Sequence, residues 1–147
     1  IIVFMINPIM DNLKVINQKI LTQPEMASMF PSFNYHLQHG MLMKIPIDKI
    51  DGLDPEPAAW LDDEGDYQKF VAGQDVNKPI EVWYEEDQDK FILYDGNHRV
   101  KQAKINNDRD ILALVQAKTK NIYNNFVRIS ETRFINNIIK EEIIKII

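Results

Sequence analysis

One stretch, Pro79 to Lys118 (PIEVWYEEDQDKFILYDGNHRVKQAKINNDRDILALVQAK), restricts the fold more than any other. After Pro79, Ile80, Val82 and Tyr84 alternate with Glu81 and Trp83 at the period of a strand. The polar run Glu85 to Lys90 suits the loop of a hairpin. Phe91 to Tyr94 is a second apolar run, too short for a helix and rich in strand formers. Beyond Asp95-Gly96-Asn97-His98-Arg99, the residues Val100, Ala103 and Lys104 lie on one narrow helical face that ends near Asn106-Asn107. Ile111 to Val115 is nearly continuous apolar sequence, as in a strand covered on both faces. The order is therefore strand, hairpin turn, strand, corner, helix, strand.

The corner gathers polar chemistry at the start of a helix. A glycine leaving a strand lets the backbone turn sharply and lets a ligand approach it closely. Gly96 or Asn97 then caps a helix whose first N–H groups make an anion site. Arg99 in that first turn opposes the helix dipole. A bound phosphate would offset the penalty, because a guanidinium grips phosphate bidentately. His98 titrates near neutrality, which suits a hydrogen-bond donor or a general acid. The alternative is that His98 only caps the turn and Arg99 is a solvated surface charge, since strand–Gly–helix corners are common.

The stretch resembles the ParB/sulfiredoxin superfamily, whose members end a strand with Gly-x-His-Arg or Gly-x-Arg-Arg at the start of a helix. The resemblance extends upstream to Lys44-Ile45-Pro46-Ile47-Asp48-Lys49-Ile50, which matches the family's opening strand. It implies an α/β (α+β) fold, a small mixed sheet with flanking helices followed by a C-terminal helix. It divides the chain into an N-terminal extension (1–43), the family domain (44–118) and a helical tail (119–147). By the same resemblance the corner binds nucleotide phosphates through Asp95, Gly96, Asn97, His98 and Arg99, with His98 and Arg99 as catalytic candidates. Family members that transfer phosphoryl groups place a carboxylate in the loop after the first strand. Asp54 and Glu56 occupy that region here, and are the candidates for a Mg2+ ion accompanying a nucleoside triphosphate.

Departures from the family narrow the reading. Sulfiredoxins carry a cysteine just before the His-Arg pair, where this chain has Asn97, and the chain has no cysteine at all. Sulfinic-acid repair by that route is excluded. Chromosome-partition members follow the domain with a helix-turn-helix region, and the tail after Lys118 is expected to be too short for one with a dimerisation domain. The reading is a nucleoside-triphosphate-binding domain, an NTPase or a phosphotransferase acting on a small acceptor. The alternative is a non-catalytic DNA-associated or regulatory module of the plasmid, mobile-element or phage type.

Bulk properties bound these readings. At 147 residues, 45% hydrophobic and 27% charged, the sequence suits one soluble domain. A net charge of −5 argues against a broad basic face for nucleic acid, though not against a local patch. Absence of cysteine removes disulfides and thiolate metal sites and fits a reducing, cytoplasmic setting. The apolar opening Ile1–Ile6 is too short to span a membrane and lacks the basic flank of a signal peptide, so no membrane partner is expected. The sequence begins with Ile, and Met5 or Met10 is the expected translation start.

Elsewhere the signals are weaker. Leu13, Ile16, Ile20 and Leu21 suit a short helix or strand, and Met26, Met29 and Phe30 one helical turn before Pro31. His36 and His39, three apart, have no third ligand nearby and read as a surface turn. Lys44–Ile50 reads as a strand with Ile45, Ile47 and Ile50 inward, followed by a loop marked by Gly52, Pro55 and Pro57. Ala58–Ala72 reads as one helix, or as two if the acidic run Asp62–Asp66 interrupts it as a solvated face, with Gly73 as its stop. Asn121–Ile147 reads as helix, with Phe126, Ile129, Phe134 and Ile138 roughly on one face. Part of it is expected to pack on the sheet, and its isoleucine-rich end could pair with a second copy to form a homodimer.

Overall fold

A computed structural model describes residues 14–15, 19–30, 36–53, 69, 71–75 and 77–146. The elements are β1 (Lys14–Val15), β2 (Leu21–Thr22), α1 (Gln23–Met29), β3 (His39–Pro46), a 3-10 turn (Ile47–Lys49) and β4 (Ile50–Asp51), then β5 (Ile80–Glu85), β6 (Lys90–Asp95), α2 (Asn97–Ile105), β7 (Asp110–Gln116) and α3 (Lys120–Ile146). The strands form a 7-stranded mixed sheet in the order β1-β3-β7-β5-β6-β4, with β2 also pairing on β3. β5 and β7 are parallel, as are β4 and β6, and the other pairs are antiparallel. The fold is α+β, as the sequence predicts.

The strand–hairpin–strand–helix–strand order is found in place. β5 and β6 pair as a hairpin around a turn at Glu86–Asp89, and α2 carries the chain from β6 past β5 to β7. Val100 and Ala103 are buried on α2 while Lys104 is exposed, the narrow apolar face read from the sequence. These two side chains, with Ile122, Phe126 and Ile129 of α3, cover one face of the sheet. That face presents Met41, Met43 and Ile45 of β3, Ile80, Val82 and Tyr84 of β5, and Ile111, Ala113 and Val115 of β7.

The other face is covered by the N-terminal part of the chain. Leu21 and Met26 pack on Leu114, with Phe30 and Leu42 at the margin. Gly40 of β3 makes the approach of α1 possible, since a Cβ there would lie 2.6 Å from Met26 Sδ. Two expectations change here. Residues 39–43 belong to a strand that ends at Pro46, so the predicted strand starts too late and stops too late, and Ile47 sits in the 3-10 turn. Met41 and Met43 carry the missed alternation, pairing with Val115 and Ala113 of β7 in an antiparallel ladder. His36 is buried rather than on a surface turn, and His39 lies in β3 with its ring centroid 4.3 Å from that of Tyr123, the two planes tilted by 36°.

Most of Ala58–Ala72 lies outside the described residues. Of its described residues, 69, 71 and 72 are helical, with Val71 buried and the Gly73 N–H donating to the Lys69 carbonyl at 3.1 Å. Among the described residues no helix is long and apolar enough to cross a membrane.

Candidate functional site

Gly96 joins β6 to α2 in a backbone conformation that only glycine adopts easily, with φ 112° and ψ 23°. It also lies against β5: a Cβ at Gly96 would come within 2.5 Å of Ile80 Cγ2 and 2.8 Å of Ile80 Cβ. The glycine is thus required twice, for the turn and for the close packing of strand on corner. As the N-cap it offers no side chain to the first-turn amides of α2, and that turn holds no acidic residue. The helix begins with the Val100 N–H donating to the Gly96 carbonyl at 3.0 Å. Beside this start is a cleft of about 390 Å³, lined by Gly52, Gln74, Leu93, Tyr94 and the five predicted residues Asp95, Gly96, Asn97, His98 and Arg99. The sequence-based candidates are therefore brought together. Asp54 and Glu56 lie outside the described residues.

Arg99 is held differently from what its sequence position predicts. It is buried, and its Nη1 donates to the Pro79 carbonyl and, at 3.4 Å, to that of Lys78. Nη2 donates to Asp95 Oδ2 at 3.2 Å, an i, i+4 pair spanning the corner. The guanidinium ties the approach to β5, the end of β6 and the start of α2 into one unit. The solvated-charge reading of Arg99 is thereby corrected.

Behind the corner stands a buried polar group that the alternation of β5 assigns to the outer side of the strand. Glu81 follows Ile80 in β5 and lies opposite Asp95 in the β5–β6 register, beside an irregularity between Glu81 and Val82. It is fully enclosed, at 1% exposure. Glu81 Oε1 and His36 Nε2 are 2.7 Å apart, both side chains buried. His36 is fixed over this face from both sides: Gln23 Nε2 donates to its carbonyl at 2.7 Å, and the next amide, Leu37 N–H, donates to Gln116 Oε1 at 2.6 Å. Burial raises the Glu81 carboxyl above the ordinary carboxylate range; the bond to His36 opposes this, and the neighbouring Asp95 carboxyl adds to it. Burial likewise pushes the Tyr94 hydroxyl upward, with the Glu81 and Asp95 charges adding to the effect. The single hint in the sequence was position. A glutamate flanked by Ile80 and Val82, in a strand that pairs with the doubly covered Ile111–Val115 run, has little access to water.

No protein-family model matches the chain, and no curated protein matches it. Among solved structures, the crystal structure of sulfiredoxin from Arabidopsis thaliana is similar at 18% identity and a TM-score of 0.38, over 59% of this chain and 97% of that one.

Proposed function

We propose that the Asp95–Arg99 corner binds the phosphates of a nucleoside triphosphate. The observation that carries the reading is the helix start itself. Glycine-capped and without an acidic residue in its first turn, it opens on a cleft that also holds His98 and Arg99. Backbone amides at such a start favour an anion, because the helix dipole and the N–H groups act together. His98, half-buried on the wall of the cleft, would donate a hydrogen bond to the bound anion, and in a hydrolytic or transfer reaction it would serve as the acid. Arg99 would contribute charge from its place between Asp95 and the Pro79 carbonyl rather than as a mobile clamp.

Magnesium enters this reading only with the nucleotide. Among the described residues no group of three His, Asp or Glu side chains could hold a metal ion. The phosphates and water would supply its oxygen ligands, as magnesium accepts readily.

The test is a thermal-shift screen of ATP, CTP, GTP and UTP, with and without magnesium, on wild type and His98→Ala. A ligand that binds only the folded chain raises the melting temperature, by several degrees at about a hundred times its Kd. One nucleotide should stabilise the wild type, and His98→Ala should reduce the gain measured from its own baseline. No shift with any nucleotide would overturn the reading. Salt-sensitive retention of duplex DNA without nucleotide would instead favour the DNA-associated module.

A further inference from the structure

Four ionisable side chains run in a row from the interior to the cleft: His36, Glu81, Asp95 and Arg99. The outer links are ordinary hydrogen bonds, Glu81 Oε1 with His36 Nε2 at 2.7 Å and Arg99 Nη2 to Asp95 Oδ2 at 3.2 Å. The middle link is different. Glu81 Oε2 is buried and receives no hydrogen bond, and Asp95, the cross-strand partner of Glu81, brings a second carboxyl to act on this group. Two ionised carboxylates are acceptors only and repel each other. A single proton between them makes one a donor and satisfies the buried oxygen.

We propose that Glu81 is a positioning residue for the corner: it shares one proton with Asp95, and thereby sets how much of the Arg99 charge an anion in the cleft can use. The inference rests on the anion-binding reading above. With the proton present, the carboxyl pair carries one negative charge, which Arg99 can balance. With the proton lost, the pair carries two, one of them on the wall of the cleft where the anion must sit. Anion affinity falls as the proton leaves. Among the described residues, the titratable and charged groups that face the pair are His36 from the segment before β3, Tyr94 of β6 and Arg99 of α2. His98 lines the same cleft. A comparison of variants separates its effect from that of the pair. Burial of Glu81 raises the pH at which the shared proton is lost.

The experiment is calorimetric titration of the full chain with sulfate, whose charge does not change between about pH 5 and about pH 9, and in parallel with ATP. Wild type and Glu81→Gln are compared, with Asp95→Asn as a second variant in case the first is poorly folded. Wild-type affinity for sulfate should fall with rising pH on the order of tenfold further than in Glu81→Gln, the effect of one added charge at short range. Any slope that remains in Glu81→Gln comes from groups other than the carboxyl pair. Parallel pH profiles in wild type and variant would overturn the proposal even if ATP binds. Absence of binding by any anion would overturn it together with the nucleotide reading. Sulfate binding with the expected difference, but no ATP binding, would keep this inference and remove the other. Carboxyl carbon-13 titration of the ligand-free wild type tests the shared proton without any anion. Glu81 and Asp95 should titrate as a coupled pair in two steps, and independent single titrations would overturn the shared proton.

Discussion

Arg99 occupies a first-turn position where the helix dipole opposes its charge, yet its side chain is only 10% exposed. Its partners explain the placement, since two backbone carbonyls and the Asp95 carboxylate take its donors. Removing it leaves Asp95 and the Pro79 carbonyl without their donor near the interior. Arg99→Ala should therefore cost about 2–3 kcal/mol of stability, discounted from a fully buried pair because Asp95 is partly solvated. Urea unfolding measures this, and an unchanged midpoint would return Arg99 to the role of a surface charge. Glu81 predicts a pH effect of definite sign. Its folded-state pKa is raised above the ordinary 4.5, so between the two values the folded chain holds more protons than the unfolded one. Stability from this group is present below the unfolded value and declines as pH rises toward the folded value. Glu81→Gln should accordingly gain on wild type as unfolding is repeated from about pH 5 to about pH 8. A constant difference across that range would show that Glu81 titrates alike in both states.

At the scale of elements, the corner works because β6 ends, α2 begins and β5 passes at one glycine. Gly96→Ala combines a left-handed backbone with a Cβ pressed into Ile80, and should cost about 2 kcal/mol or more. Gly96→Asn separates the two causes. Asparagine tolerates the left-handed region better, so if contact with Ile80 dominates, both variants lose similar stability in thermal melts. If Asn recovers most of the loss, backbone strain dominates instead. These elements were legible in the sequence for a plain reason: their signals are local. Alternation in Ile80–Tyr84, the polar hairpin run, Gly96 and the Val100/Ala103 face each follow from a few adjacent residues. The strand at His39–Met43 was not legible, because methionines and a glycine have weak strand preference and the strand exists through pairing with β7. The burial of Glu81 was not legible for the same kind of reason. Alternation assigns it a face, but whether that face meets water depends on α1 and on residues 36–38, which arrive from far away in sequence.

For the molecule as a whole, both ends of the chain contribute to covering the sheet. α1 and Leu21 close one face, and the first half of α3 closes the other through Ile122, Phe126 and Ile129. The far half of α3 behaves differently. Ile139 and Ile143 are 50% exposed and Ile146 is 84% exposed, and their i, i+4, i+7 spacing places them along one side of the helix. The sequence predicted an apolar end but not which part the sheet would leave uncovered, because helical periodicity is the same for a stripe facing the sheet and one facing another chain. A pairing of two copies through this stripe makes separable predictions. Wild type should show a concentration-dependent mass in sedimentation equilibrium, and Ile143→Lys with Ile146→Lys should bring it to the monomer. The anchoring residues of α3 are untouched by these changes, so the monomeric variant should still fold, with its melting temperature reduced only by the loss of association. A wild type that stays monomeric at every concentration would show that the stripe does not pair copies of this chain.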